Sequence, residues 1–269
     1  MTAIFTIGAL FLYGVVTIAH LLPALAGGHL ARLATPTAAL GLLCHGLALV
    51  ADLYTLSEPP GLSQALSVLA FGVVISSLWA MRGERLRVVG LLLQPLALVM
   101  LSLAQMVPSH RVVALSVGDA SIWLPLHVGL VFAGILGFLV SSAAGAVYLW
   151  TRNRLKTKRL SGIGRLPPLE LLDRVQFRSM LFGFVFLTLG IATGGAWAAL
   201  AFDASWVADW KVWFTFLIWA WYGAGLHLRI VLGWRGRWTA LFSLFGVCAV
   251  IFSLVGINFL TSSWHGYGG

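Results

Sequence analysis

Eight apolar runs, most of them about 20 residues long, constrain the fold of this chain more than any other feature. A helix of roughly 20 apolar residues crosses the ~30 Å hydrocarbon layer of a membrane. Lipid offers the backbone no hydrogen-bond partners, and the alternating pattern of barrel strands is absent, so each run is predicted to be a helix. The chain is therefore predicted to be an all-α, polytopic integral membrane protein with about eight transmembrane helices. The runs cover residues 4–22, 36–55, 62–81, 88–107, 124–150, 178–200, 211–232 and 239–260.

The composition excludes an ordinary soluble domain. Hydrophobic residues make up 60% of the chain and charged residues only 9%, with a mean hydropathy of +0.96. Ala24-Leu25-Ala26 resembles a signal-peptide cleavage site, but the segment before the first run carries no positive charge. We therefore expect the first run to be retained as a helix.

The basic residues predict the orientation of the helices. In an eight-helix arrangement nearly all of them fall on one side, and only Arg111 and Lys211 fall on the other. The positive-inside rule then places both termini outside the cytoplasm. The net charge of +9 accordingly indicates orientation and contact with membrane lipid headgroups rather than nucleic-acid binding. The expected location is a bacterial-type cytoplasmic (inner) membrane, with multiple passes.

The organisation predicted is one transmembrane domain over residues 1–269. Its long connection, residues 151–177, is basic and cytoplasmic, and we expect it to contact anionic lipid, with a regulatory role left open. Residues 166–178 within it predict a short interfacial helix. A tryptophan-rich segment, residues 197–221, lies towards the outer side. Cys44 and Cys248 lie in separate runs without a Cys-x-x-Cys motif, which argues against a thiolate metal site.

Four of the seven histidines form two pairs at matched depths. His127 begins the fifth run and His265 follows the eighth, so both lie at the outer face. His45 lies about nine residues (~14 Å) and His227 about five residues (~8 Å) from the inner ends of their helices. Ionisable side chains inside a membrane are rare and indicate function. The alternative for each is a neutral imidazole bonded to a neighbouring helix. The other three are expected to be structural or solvated: His20, His29 and His110.

Neutral imidazole is a good axial ligand for haem iron, and apolar helices can provide the slot for the ring. Several tryptophans cluster beside the outer histidines. An interfacial belt of aromatic residues explains some of them. Stacking of the rings against a porphyrin would explain why they are dense at the same place as the histidines. The tryptophans are Trp123, Trp206, Trp210, Trp213 and Trp264. The pattern predicts haem binding at the outer face.

A chain of short motifs through residues 123–268 matches one known family of membrane proteins. The matching positions are Trp123 and His127; Asp209 and Lys211; Trp219; Leu226-His227-Leu228-Arg229; Gly256–Leu260; and Trp264–Gly268. With these residues the chain resembles the cytochrome c assembly family, the CcsA/CcmC type of haem-handling proteins. Cys44-His45 and Pro167-Pro168-Leu169 resemble its YpjD/HemX branch.

The resemblance implies two sites. An outer haem site would use His127 and His265 as iron ligands, and an inner transit site would use His227 with His45. The haem ring at the outer site would be surrounded by four tryptophans: Trp123, Trp206, Trp210 and Trp213. Asp209 and Lys211 match the family's acidic and basic pair. Lys211 would face a haem propionate. Trp210 and Val212 replace the proline and glutamate of the family's motif, and no large outer domain is present. A haem-handling assembly factor is therefore expected rather than a complete cytochrome c synthase.

The predicted function is haem binding for cytochrome c biogenesis or haem trafficking. Haem b would pass by ligand exchange from the inner to the outer histidines, and another assembly protein or apocytochrome would be the partner. Two alternatives remain open. One is a b-type electron-transfer subunit with permanently bound haem. The other is a membrane scaffold that regulates a haem-synthesis enzyme through the basic connection.

Overall fold

A computed structural model describes residues 2–21, 28–55, 62–107, 123–158, 166–201, 207 and 209–256. These residues form helices and the turns between them, with no strand among them. This confirms the all-α prediction. The long helices are α1 (Thr2–Leu21), α2 (Gly28–Thr55), α3 (Leu62–Met81), α4 (Arg87–Met106), α5 (Trp123–Lys156), α6 (Leu169–Ala201), α7 (Trp210–Ile230) and α8 (Arg237–Ile251). A 3₁₀ turn, Glu84–Leu86, precedes α4, and a π-helical turn, Phe252–Gly256, extends α8.

Seven segments within the described residues are long and apolar enough to cross a membrane, and they correspond to α1–α6 and α8. The chain is therefore a polytopic membrane protein, as predicted. Helix α7 is 21 residues long and coincides with the seventh apolar run. Its many tryptophan, tyrosine and glycine residues are less apolar than the aliphatic residues of the other runs.

Three helices extend beyond the runs that predicted them. Helix α2 begins at Gly28, α5 continues to Lys156 and α6 begins at Leu169. The predicted interfacial helix is thus not separate: most of residues 166–178 are the first turns of α6. Two prolines, Pro167 and Pro168, precede that helix, where their missing N–H groups cost nothing. No helix-breaking residue follows the two prolines in the first turns of α6. The backbone therefore stays helical there, although the charged side chains of these turns end the apolar run.

The chain forms two compact units, Met1–Val112 and Val113–Gly269. In the N-terminal unit α1 packs against α2 and α4, and α3 packs against α2 and α4, so the four helices form a closed bundle. Its core contains fully buried leucines such as Leu69 and Leu101. The prediction of a single transmembrane domain stays a prediction.

The C-terminal unit has the same order of neighbours: α5 packs against α6 and α8, and α7 packs against α6 and α8. Its largest contact is that of α5 with α6, where glycines on both helices let the backbones approach. A Cβ at Gly137 would lie 2.7 Å from the Gly183 nitrogen, and one at Gly134 would lie 2.9 Å from the Leu187 nitrogen. Larger side chains at these glycines would push the two helices apart.

Consecutive helices of the C-terminal unit run antiparallel. His127 near the start of α5 meets Gly190 near the end of α6, and Arg229 near the end of α7 meets Asp173 near the start of α6. The first turns of α5 and α7 therefore lie at the same end of the unit as the last turns of α6 and α8. We call this the His127 end, and the opposite one the Arg229 end.

Candidate functional site

His127 lies one turn inside α5 and contacts two glycines of α6. Its Nδ1 donates a hydrogen bond to the carbonyl oxygen of Gly190, 2.7 Å away. Gly194 provides the space for the ring, because a Cβ there would lie 2.5 Å from the ring atoms Cε1 and Nδ1. A carbonyl only accepts, so Nδ1 carries the proton and Nε2 carries the lone pair. The helix packing thereby fixes both the orientation and the tautomer of this imidazole.

The predicted acid–base pair of the outer site lies at the first turn of α7. Asp209 caps this helix, since its side chain accepts a hydrogen bond of 2.8 Å from the backbone nitrogen of Lys211. Both side chains are buried in the protein. The structure therefore gives Asp209 a clear local role as a helix cap. The pairing of Lys211 with a haem propionate stays a prediction.

The tryptophan-rich segment divides into two parts. At the start of α7, Trp210 and Trp213 are 61% and 57% exposed. Further along the helix, Trp219 stacks on Phe184 and donates its Nε1–H to the Thr188 hydroxyl over 2.9 Å. The later ring therefore serves the packing of α7 against α6. The first two rings lie at the His127 end with faces open to a ligand.

The outer site is only partly described. Trp123 begins α5, one helical turn before His127, and is half-buried. His265, the predicted second iron ligand, lies outside the described residues, as do Trp206, Trp264 and His110. The pairing of His127 with His265 therefore stays a prediction.

His45 is fully buried in the bundle of the N-terminal unit. Its Nδ1 is 3.2 Å from the Tyr13 hydroxyl, and its Nε2 is 3.0 Å from the Ser67 hydroxyl. The ring of Phe71 packs edge-on against it, with centroids 5.5 Å apart. Both ring nitrogens thus have partners on neighbouring helices, which is how a neutral imidazole is satisfied inside a bundle. Iron could bind His45 only by replacing one of these partners.

His227 differs from His45 in its burial and in its hydrogen bonds. It lies in the last turn of α7, and its side chain is exposed. No hydrogen bond joins its imidazole to any residue in the described part of the chain. A ligand can reach His227 without displacing a contact. Because His45 and His227 belong to different units, their pairing at an inner site stays a prediction.

The last residue of the His227 motif, Arg229, joins α7 to α6. Arg229 binds Asp173 of α6 with two short contacts, Nη1–Oδ1 at 2.9 Å and Nη2–Oδ2 at 2.7 Å. The same carboxylate accepts a hydrogen bond of 2.9 Å from the backbone nitrogen of Gly236. Sequence reasoning noted Arg229 only as part of a motif. Its partner is 56 positions away, and no spacing rule connects residues so distant in the chain.

Comparison with known proteins gives a consistent result. The family model described as "Cytochrome C assembly protein" matches residues 33–265, a range that includes His45, His127, His227 and His265. The chain is 32% identical over 230 residues to "Cytochrome c biogenesis protein CcsA" of Prochlorococcus marinus (strain MIT 9312), covering 77% of this chain and 74% of that protein. Two further proteins of the same name are similar over shorter lengths. The one from P. marinus (strain MIT 9515) is 36% identical over 168 residues, covering 55% and 54% of the two chains. The one from Parasynechococcus marenigrum (strain WH8102) is 31% identical over 189 residues, covering 62% and 59%. The matched regions thus span between 54% and 74% of these relatives' lengths.

Proposed function

This chain belongs to the cytochrome C assembly protein family, and from that premise we propose that it binds haem in the membrane and acts in cytochrome c biogenesis. The haem is cargo, most simply haem b, which the protein receives within the membrane and presents at the outer face of a bacterial-type inner membrane. A further assembly protein or an apocytochrome receives it.

The geometry of His127 is the observation that carries this proposal. An imidazole that donates one N–H to a backbone carbonyl and keeps its lone pair on the other nitrogen has the arrangement typical of metal-binding histidines. The exposed rings of Trp210 and Trp213 lie at the same end of the unit. They offer flat apolar faces against which a porphyrin can stack.

In the proposed mechanism the four histidines act as two successive ligand pairs. His227 and His45 hold haem iron on its way through the membrane, and His127 and His265 hold it at the exit. The exposure of His227 supports its role. His45 has to exchange a hydroxyl partner for the iron, so its contribution requires a rearrangement inside the bundle.

The proposal is tested by the visible absorption spectrum of the detergent-purified protein. A His127→Ala/His265→Ala double variant should lose or shift the Soret band of the wild type, since it removes both outer ligands. His29→Ala, which changes a histidine outside both pairs, serves as the control and should leave the spectrum unchanged. A wild type that stays free of haem after expression with excess haem would contradict the proposal.

Redox behaviour and haem exchange separate this function from a b-type electron-transfer subunit. A haem-handling protein should contain sub-stoichiometric haem that exchanges with free haem. Deleting the protein should reduce the amount of covalently attached haem in c-type cytochromes. Two stable haems reduced by a quinol would instead favour electron transfer.

A further inference from the structure

The Arg229 end of the C-terminal unit contains an open groove of about 400 Å³. The first turns of α6, the last turn of α7 and the turn between α7 and α8 form its walls. Asp173, Arg174, Phe177, Arg229 and Arg235 are among the residues that line it. It lies at the opposite end of the unit from His127, so it is separate from the outer haem site.

The groove keeps an unbalanced positive charge. Its lining contains three arginines and two acidic residues. Arg229 is held by Asp173 in the half-buried pair described above. The pair of Arg174 with Glu170 is solvent-exposed, so water screens it and an anion can compete for the arginine. Arg235 forms no close ion pair among the described residues; its charge acts on the Asp173 carboxylate, but that carboxylate is already bound by Arg229. Arg174 and Arg235 can therefore bind a further anion.

The surroundings of the groove are those of a membrane interface. Trp234 and Trp238 lie on either side of Arg235, partly exposed, with ring centroids 5.7 Å apart. Val231 and Leu232, in the same turn, are each more than 60% exposed. Aromatic rings beside arginines and bare aliphatic side chains are typical of the depth at which lipid headgroups lie. An anionic lipid headgroup at this depth would therefore lie within reach of the groove.

An apolar track leads away from the arginines along one face of α6. It starts from Arg174 and Arg178 and continues at helical spacing through exposed apolar side chains. These are Leu181, Phe182, Val185 and Leu189, between 39% and 47% exposed. A free phosphate needs only the charges, whereas this combination of a basic groove and an apolar track fits an amphiphile.

We propose that the groove binds the phosphate group of an anionic phospholipid, with an acyl chain lying along the α6 track. Arg174 and Arg235 bind the phosphate, and the Arg229–Asp173 pair forms the groove floor. The site anchors the α6 start and the α7–α8 turn at the membrane surface.

The experiment is a lipid titration of the detergent-purified protein followed by native mass spectrometry. The probes are phosphatidylglycerol and phosphatidylcholine, with inorganic phosphate as a competitor. Arg174→Gln/Arg235→Gln should weaken phosphatidylglycerol binding about tenfold or more, since two arginine contacts are lost. Arg82→Gln/Arg85→Gln removes the same charge from the α3–α4 turn and should bind like the wild type.

Three outcomes would overturn the proposal. The first is that both double variants weaken phosphatidylglycerol binding equally. The second is that the protein binds the two lipids with equal affinity. The third is that millimolar inorganic phosphate displaces the lipid, which would indicate a site for free anions. If the double variant does not fold, Arg235→Gln alone is the substitute. It changes an exposed side chain and should still weaken phosphatidylglycerol binding about threefold or more.

Discussion

The most direct test of the outer site changes Gly194, the glycine of α6 that lies against the His127 ring. Gly194 leaves space for the His127 imidazole, and a methyl group there would lie 2.5 Å from the ring. Ordinary contact begins near 3.4 Å, so Gly194→Ala requires the ring to move by about 0.9 Å or more. The hydrogen bond from Nδ1 to Gly190 is only 2.7 Å long and does not survive a displacement of this size.

The loss can be given a magnitude. A net hydrogen bond of this kind contributes about 0.5–1.5 kcal/mol. Removing the group that orients a metal-binding histidine typically weakens metal binding by about 10–100-fold. We therefore expect Gly194→Ala to bind haem at least about tenfold more weakly than the wild type, while the protein stays folded.

Gly195 provides the matched control. It is the next residue of the same helix, and a Cβ there meets nothing within 4 Å. Gly195→Ala is expected to bind haem normally and to stabilise α6 slightly, because alanine favours a helix over glycine by about 1 kcal/mol. Haem is titrated into the three purified proteins and the Soret absorbance is followed. If Gly194→Ala titrates like Gly195→Ala, the orientation of His127 plays no part in haem binding and the reasoning is wrong.

Further predictions concern the groove floor and the N-terminal unit. Gly236→Ala should destabilise the protein by about 1–3 kcal/mol, because the backbone there has a φ of +66°; thermal unfolding in detergent measures it. Asp173→Asn should lower the free energy of unfolding by up to about 3 kcal/mol, because it leaves the half-buried Arg229 unpaired. Adding Arg229→Gln should recover part of that loss, which the melting temperatures of the single and double variants would show. Ser67→Ala should lower the free energy of unfolding by about 1–3 kcal/mol, because it removes a partly buried hydrogen-bond partner of the fully buried His45; an unchanged melting temperature would show that this contact does not stabilise the bundle.

The helices were predictable because lipid imposes one rule on every segment that crosses it. Hydropathy located all eight long helices of the described residues, although α7, with its many aromatic residues, is not among the seven that are apolar enough to cross a membrane. It placed the start of α6 too late because the charges of Glu170, Asp173 and Arg174 end the apolar run, while the helical backbone continues through them. Charge determines how deep a residue lies, and backbone geometry determines where the helix begins.

The site was predictable only in part, for a related reason. The position of His127 near the start of α5 follows from the sequence, and Gly190 and Gly194 have the four-residue spacing of a close helix contact. Nothing in the sequence says that these glycines face His127, because the hydrogen bond joins residues 63 positions apart. The two hydroxyl partners of His45 were hidden in the same way, on helices whose order in the bundle is not readable from the chain.

The glycines that join α5 to α6 also determine how His127 is held. Gly183, Gly190 and Gly194 recur at intervals of seven and four residues, so they share one face of α6, and that face meets α5 along its length. The orientation of His127 therefore depends on the packing of the whole helix pair. His227 has no such support: its side chain is exposed in the last turn of α7 and has no hydrogen-bond partner among the described residues. A ring held by helix packing needs no further ordering when it binds iron, whereas an unsupported ring loses conformational freedom and binds more weakly. The proposed transfer from the inner to the outer histidines runs in the direction that this difference favours.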